Sequence, residues 1–401
     1  AIKSMHVSNY IAHKFRIIMI KKILAITLIF ICHSALSKTL TVEEQRIYKV
    51  KEAYPKLLDV FATDVSKFQR KWKQTSNYQE AKELVNIYSN NLWLNAKKEI
   101  LSSQNMDDRP LYWTRLLSSK VMRTEQPQFK IEQGQLTALL KLLEKGSRGQ
   151  TDLEYTKGTM KKILLTGFDP FLLDRNINQS NPSGVTALML DGKVIEYKGI
   201  TAEVNTVMIP VIYKDFDDGI IESLLAPYYA LNNVDIIFTV SMGRKEFDLE
   251  RFPGKRRSVT APDNLNVLSG GTKKQPVISQ LNKRKLPGNE FVEFSLPVEQ
   301  MKLAKGPYKI IDNHKVTTLK KGAYSPATIE ELNGEVAVSG SGGGYLSNEI
   351  SYRSIRLRNE LNSSIPTGHI HTPRIQQFEP EVEGKIVEQI NAMLKQSLVA
   401  L

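Results

Sequence analysis

Four segments concentrate the residues that could do chemistry, and each has the look of a strand running into a turn. They are Thr166-Gly167-Phe168-Asp169-Pro170-Phe171 followed by Asn181-Pro182-Ser183; Val240-Ser241-Met242-Gly243-Arg244 leading to Leu249-Glu250-Arg251; Val338 to Ser347 through the run Gly342-Gly343-Gly344; and Gly368-His369-Ile370-His371-Thr372-Pro373. Together they offer a hydroxyl, an imidazole and a carboxylate from separate parts of the chain. A hydroxyl is a poor nucleophile until a neighbouring base takes its proton, and a carboxylate can orient that base. Ser347 follows the glycine-rich turn and opens a helix, whose first N–H groups and positive dipole end suit an oxyanion. Beyond residue 37 the histidines are His314, His369 and His371. In a strand His369 and His371 share one face and Ile370 takes the other; each is equally readable as a hydrogen-bonded core residue. Ser341 is an alternative nucleophile, since Ser339-Gly340-Ser341-Gly342-Gly343 loosely matches a nucleophile elbow with its first glycine replaced. A turn or helix-cap role is the competing reading of Ser341. The glycine run lacks the Gly-Lys-Ser/Thr ending of a phosphate-binding loop.

The elements that must position these groups follow from periodicity. From Lys161 onward, short apolar strands (Lys162–Thr166, Thr206–Val211, Val234–Val240, Glu335–Ser339, Thr367–Thr372) alternate with helical patterns (Ser183–Leu190, Asp215–Leu225, Leu346–Leu361, Glu379–Leu398). That alternation predicts an α/β sheet covered on both faces, with ligands at the carboxyl ends of the strands. Residues 253–290 and 303–334, rich in Gly, Pro, Lys and Asn, read as long loops or insertions. Upstream, residues 38–155 read as a helical domain, with helices over Glu43–Trp72, Gln79–Ile100 and Gln135–Leu143, and Trp72, Trp93 and Trp113 as core residues of a small bundle or as a docking face for a protein partner. The α/β domain is placed at 156–401.

Composition narrows the function classes. The 401 residues carry a net charge of +13, 41% hydrophobic residues and one cysteine. Five of the cations (Lys3, Lys14, Arg16, Lys21, Lys22) fall within residues 1–37, which hold no acid. Lys21-Lys22, the apolar run Ile23–Ile31 and Ala35-Leu36-Ser37 form the pattern of a secretion signal, so residues 1–37 are expected to be upstream sequence and a signal peptide and the rest to be exported to the periplasm or beyond. The apolar run is too short to span a bilayer, and no stable membrane span is expected after its removal. Cys32 lies in that run, so the exported chain would have neither a disulfide nor a thiolate. The basic clusters Lys255-Arg256-Arg257, Lys283-Arg284-Lys285 and Lys320-Lys321 lack aromatic interleaving and read as solvated loops, not as a nucleic-acid surface.

The motif set as a whole resembles the pyroglutamyl peptidase I (pyrrolidone-carboxylate peptidase) family. TGFDPF with NPS after it, LER, PDN (Pro262–Asn264), SLPV (Ser295–Val298), YLSNEISY (Tyr345–Tyr352) and HIHTP occur in the family's order from Lys161 to the end of the chain. The resemblance implies a three-layer α/β/α sandwich with a mixed central sheet, removal of N-terminal pyroglutamate from peptides, and a Glu-Cys-His triad that uses no metal or cofactor. Matched motif by motif, the triad glutamate falls on Glu250, the histidine on His371 and the cysteine on Ser347; Phe168 and Phe171 match phenylalanines that pack around the pyrrolidone ring. The chain departs from the family at Ser341–Gly344, at Met242, in the basic stretch Gly254–Ser258, in the longer 303–334 segment and in its helical N-terminal region. Changes at several neighbouring positions point to natural divergence, with a single engineered Cys→Ser exchange as the alternative.

Two function classes follow. The first is a hydrolase in which Glu250 orients His371, His371 acts as base and acid, and Ser347 attacks. The second is a catalytically inactive pseudoenzyme that binds a blocked peptide or a protein partner.

Overall fold

The computed structural model describes residues 39–158 and 160–401. The proposed signal segment lies outside the described residues. The elements used below are helices α1 (Ala62–Gln74), α2 (Tyr78–Ser103), α3 (Arg109–Thr124) and α4 (Gln133–Gly146); then β1 (Lys161–Phe168), α5 (Pro182–Leu190), β2 (Lys193–Tyr197), β3 (Ile200–Ile209), α6 (Tyr213–Asp217), α7 (Ile220–Leu231), β4 (Ile236–Met242), β5 (Phe247–Glu250), β6 (Ile310–Asn313), α8 (Leu346–Glu360), β7 (Thr367–Thr372) and α9 (Pro380–Ser397). The seven strands form one mixed sheet in the order β6-β5-β7-β4-β1-β3-β2. The centre is parallel (β7, β4, β1, β3), while β5 runs antiparallel to β7 and β2 antiparallel to β3. This is the α/β architecture with a mixed sheet, preceded by an all-helical region, that the sequence predicts.

Central strands with both faces covered read as unbroken apolar runs. In β1, Ile163 and Leu165 face a core shared with Ile386, Ile390 and Met393 of α9. Leu164 faces the opposite core, with Leu225 of α7 and Ile350 and Leu357 of α8. Helix starts are locally encoded: Asn77 caps α2 by accepting the Glu80 N–H at 3.0 Å, and Asn181 caps α5 at Ser183 N–H, with Pro182 in the first turn. Such caps satisfy N–H groups that have no partner inside the helix.

Several elements differ from the pattern reading. Glu43–Trp72 is broken into short helices, interrupted at Tyr54-Pro55 and again at Val60-Phe61, before α1. Proline lacks an N–H and disfavours helical geometry in the residue before it, which accounts for the first break. The amphipathic helix α3 was not read from the sequence, because it buries charged residues, Arg109 and Arg115 among them, along with its apolar ones. Strand β6 lies inside the presumed insertion 303–334. Ala337–Ser339 joins a small three-stranded sheet with Val316–Thr318 and Gly322–Tyr324 instead of the main one.

The helical region is not a free-standing bundle. Trp72 packs within it, against Phe68, Val85 and Leu139. Trp93 shares a core with Val185 and Leu188 of α5 and Met208 of β3, and its indole N–H donates to Asp191 at 3.1 Å. Trp113 packs in a core that includes Leu173.

Candidate functional site

Adjacent strand ends bring the carboxylate and one imidazole together. Asp248 of β5 pairs with His371 of β7, and two residues on, the Glu250 side chain meets the His371 Nδ1 in a short hydrogen bond. Glu250 is fully buried and His371 nearly so. A buried carboxylate is costly unless its oxygens are satisfied. Asn313, at the end of β6 and in register with Glu250, donates Nδ2–H to the second carboxylate oxygen at 2.8 Å and to the Ser341 carbonyl at 3.0 Å. The Arg244 guanidinium lies 3.6 Å from the first oxygen, but it is half exposed and principally paired with Asp248 at 2.9 Å. Among the described residues, His371 Nε2 has no hydrogen-bond partner. Nδ1 is thus held by the carboxylate, and Nε2 is the unshared nitrogen.

Gly243 explains part of this fit. A methyl group there would lie 2.5 Å from His371 Cβ, so the backbone itself is the wall behind the imidazole. His369, in contrast, is fully engaged: Nδ1 meets Thr239 Oγ and Nε2 meets Ser241 Oγ, both at 2.7 Å. Burial first, and then neighbouring His371, hold its pKa well below the ordinary histidine value. It therefore stays neutral at physiological pH and adds no charge beside His371, whose ring stands edge-on to it at 4.8 Å.

Ser347 is the second residue of α8. The helix has no side-chain cap, so no capping side chain takes up the backbone N–H groups of its first turn. The approach to it is a tight turn in which Gly343 N–H donates to Gly340 O at 2.9 Å, with Gly343 at φ +92°. Asn348, next to Ser347, clasps Gly254 from both sides, accepting its N–H at 3.0 Å and donating to its carbonyl at 2.7 Å. Gly340 and Gly254 approach so closely that a side chain at Gly340 would lie 2.1 Å from the Gly254 nitrogen. Ser341 is buried and its hydroxyl accepts the Phe252 N–H at 2.9 Å, so it closes the same clasp. The Ser347 hydroxyl donates to Gly342 O at 3.4 Å. Among the described residues no hydrogen bond joins it to His371.

Phe168, Phe171, Val211, Met242, Tyr345 and Ser347 line a cavity of about 30 Å³ beside this constellation. Tyr345 stacks on Phe171 at 6.3 Å and meets Tyr213 edge-on at 5.6 Å, while its hydroxyl donates to Pro262 O at 2.7 Å. Asn264 holds the next turn by donating to Pro170 O at 2.9 Å. His314 lies apart from the dyad, bonded to Pro326 O at 2.8 Å. The Gly254–Ser258 stretch is not a solvated loop: Arg257 is buried, bonded to Glu349 at 2.6 Å and to Asp217 at 2.8 Å. Among the described residues no group of three or more His, Cys, Asp or Glu side chains could hold a metal ion.

Asn313 is the site residue that sequence reasoning missed; Gly243 and Tyr345 lie in the motifs it singled out, without the roles the structure gives them. Asn313 sits in a polar, Lys-rich stretch, and nothing local distinguishes it from a loop asparagine. Its short strand acquires meaning only by pairing with β5.

Two family models match separate parts of the chain. Residues 29–144 match the sequence model of the PA0049 N-terminal domain, and residues 162–293 and 309–376 match that of the PA0049 C-terminal domain. Uncharacterized protein PA0049 of Pseudomonas aeruginosa is 27% identical over 352 residues, covering 67% of this chain and 63% of that protein, so the match spans less than two thirds of its relative. Among solved structures, pyrrolidone carboxyl peptidase from Pyrococcus furiosus aligns with a TM-score of 0.40 at 20% identity, covering 60% of this chain and 99% of the enzyme. A mutant of that enzyme aligns with a TM-score of 0.39 at 22% identity over the same shares. With both of its domains matched in order across most of its length, the chain belongs to the PA0049 family.

Proposed function

We propose that this protein is an exported hydrolase that removes N-terminal pyroglutamyl residues from peptides, with Ser347, His371 and Glu250 as its reacting constellation. The observation that carries the reading is the buried Glu250, bonded on one oxygen to His371 Nδ1 and on the other to Asn313. A carboxylate held on both oxygens fixes the imidazole's tautomer and leaves Nε2 as the basic nitrogen. Ser347 Oγ attacks the pyroglutamyl carbonyl carbon as His371 Nε2 takes its proton, and Glu250 stabilises the imidazolium. The N–H groups opening α8 face the developing oxyanion. Collapse expels the peptide amine, which receives the proton from His371. Water, deprotonated by the same nitrogen, then releases pyroglutamate and restores the serine. The apolar walls of Phe168 and Phe171 suit an uncharged lactam ring. A cavity of about 30 Å³ has room for about two waters, so binding of the ring requires the lining side chains to shift.

Binding without turnover is the second reading, and the Ser347 hydroxyl favours it by bonding to Gly342 O at 3.4 Å instead of to His371. A cysteine, whose unperturbed pKa is about 8.5, can wait as a thiolate, whereas serine must lose its proton during attack. A pyroglutamyl amide with a fluorescent leaving group separates the two. Cleavage by the unaltered protein, abolished in Ser347→Ala, supports the hydrolase. An inert protein whose Ser347→Cys variant cleaves would leave the pocket correct and the native role non-catalytic.

A further inference from the structure

On the far side of the β3–α6 connection lies a larger cleft of about 740 Å³, formed where α4 of the helical region meets α6 and α7. Pro210 lines this cleft while the next residue, Val211, lines the candidate active site, so the two spaces are separated by one stretch of backbone. Its size is that of small-molecule sites in general. Its apolar lining is Leu153, Leu224, Pro227 and the rings of Tyr155 and Tyr228.

One polar group in it is left without a counter-ion. Among the described residues no hydrogen bond or ion pair reaches the Asp215 carboxylate, although it is only partly exposed. Two neighbouring cations are committed elsewhere, Lys214 to Asp218 at 2.6 Å and Arg148 to Asp169 at 2.6 Å and Glu144 at 2.7 Å, while Lys141, Lys145 and Lys162 also line the cleft. The Tyr228 hydroxyl, also at this cleft, likewise has no hydrogen-bond partner among the described residues. Burial and the facing Glu144 push Asp215 up to about 6, as expected of a carboxylate lacking a partner. An acidic acceptor and a phenol in one cleft, with apolar side chains in its lining, suit an ammonium group attached to an apolar side chain. Lys141 and Lys145, exposed on the rim, suit a carbonyl or carboxylate next to that amine.

We infer that this cleft is a second binding site, for a free peptide N-terminus with an apolar first residue, its amine received by Asp215 and Tyr228. The inference holds whether or not Ser347 is catalytic. Arg148 lines the cleft and also grips Asp169, between Phe168 and Pro170, which gives a bound peptide a direct contact path to the active-site wall.

The test is calorimetric titration of the whole protein at neutral pH with leucinamide and with N-acetyl-leucinamide. Leucinamide is expected to bind saturably and its acetylated form not to bind. Asp215→Asn should weaken leucinamide about tenfold, the usual effect of losing a charge-assisted hydrogen bond; Tyr228→Phe, which keeps the ring packing, should weaken it less. Ser347→Ala should leave it unchanged, which separates this site from the active site. Affinity should fall as pH drops through about 6, with Asp215 losing its charge among Glu144, Arg148, Asp218 and Lys214. Absence of leucinamide binding, equal binding of the acetylated form, or full affinity in both Asp215→Asn and Tyr228→Phe overturns the inference.

Discussion

Glu250 illustrates how a single residue's environment decides what it can do. Its two oxygens are divided between His371 and Asn313, so neither is free to rotate away. Replacing Glu250 by Gln keeps the shape but presents the wrong partner to Nδ1, and turnover of a pyroglutamyl amide should fall by ~10³–10⁴, the scale of such a change in other triads. Asn313→Ala should be milder, about tenfold in kcat with KM little changed, because it loosens the carboxylate without touching the cavity lined by Phe168 and Phe171. A change confined to KM would show that Asn313 serves the pocket instead. Gly243 acts through space alone: Gly243→Ala puts a methyl 2.5 Å from His371 Cβ. A displacement of about 1 Å can cost roughly a hundredfold in rate, and steady-state kinetics on the folded variant would read it.

At the scale of elements, the segment after β1 is held from behind by the helical region. Asp169 is bonded by Arg115 of α3 at 3.1 Å and by Arg148, just past α4, at 2.6 Å, and all three side chains are nearly inaccessible. Removing the carboxylate leaves two buried guanidinium groups without it, and breaking a buried pair typically costs ~3–5 kcal/mol. Asp169→Asn should therefore lower the urea midpoint strongly, whereas Arg115→Met, which leaves Asp169 bonded to Arg148, should lower it less. Equal losses in the two variants would argue against Arg148 sharing the carboxylate. Arg46 makes a similar link, bonding Asp174 at 2.8 Å and the Asn264 carbonyl at 2.5 Å, next to the turn that carries the Tyr345 contact.

The whole molecule is joined through a seam that also buries acids. Asp108 is fully buried, its oxygens each 3.3 Å from the Asn181 nitrogen, and burial followed by Glu383 pushes it well above the carboxylate range. Glu383 of α9 bonds Ser180 and is pushed up to about 8, chiefly by burial. An acid whose folded pKa is raised binds its proton more tightly in the native state, so its contribution to stability is full below about 4.5 and is lost as pH rises through about 8. The thermal midpoint should thus decline as pH rises from about 4.5 to about 8 and level off above that. Glu383→Gln should flatten that decline, leaving the variant several degrees more stable than the parent at the alkaline end; parallel profiles would show that Glu383 does not titrate there.

What the sequence determines by itself is local. Apolar runs, Asn181-Pro182 and Asn77 specify strands and helix starts, and hydrogen bonding within a few residues enforces them. Ordered short motifs placed Glu250, His371, Ser347 and the phenylalanines in one list. Tertiary structure alone decides which of two histidines on the same strand face is free. His369 and His371 are alike in sequence, but Thr239 and Ser241 occupy both nitrogens of one, while a carboxylate from β5 takes a single nitrogen of the other. It also decides that an asparagine from an apparent insertion completes the site, that Ser341 serves as a clasp, and that a region read as a separate bundle supplies the arginines for Asp169. The physical reason is common to all four. Burial and partnership between residues far apart in the chain are properties of the packed state, and no spacing along the sequence encodes them.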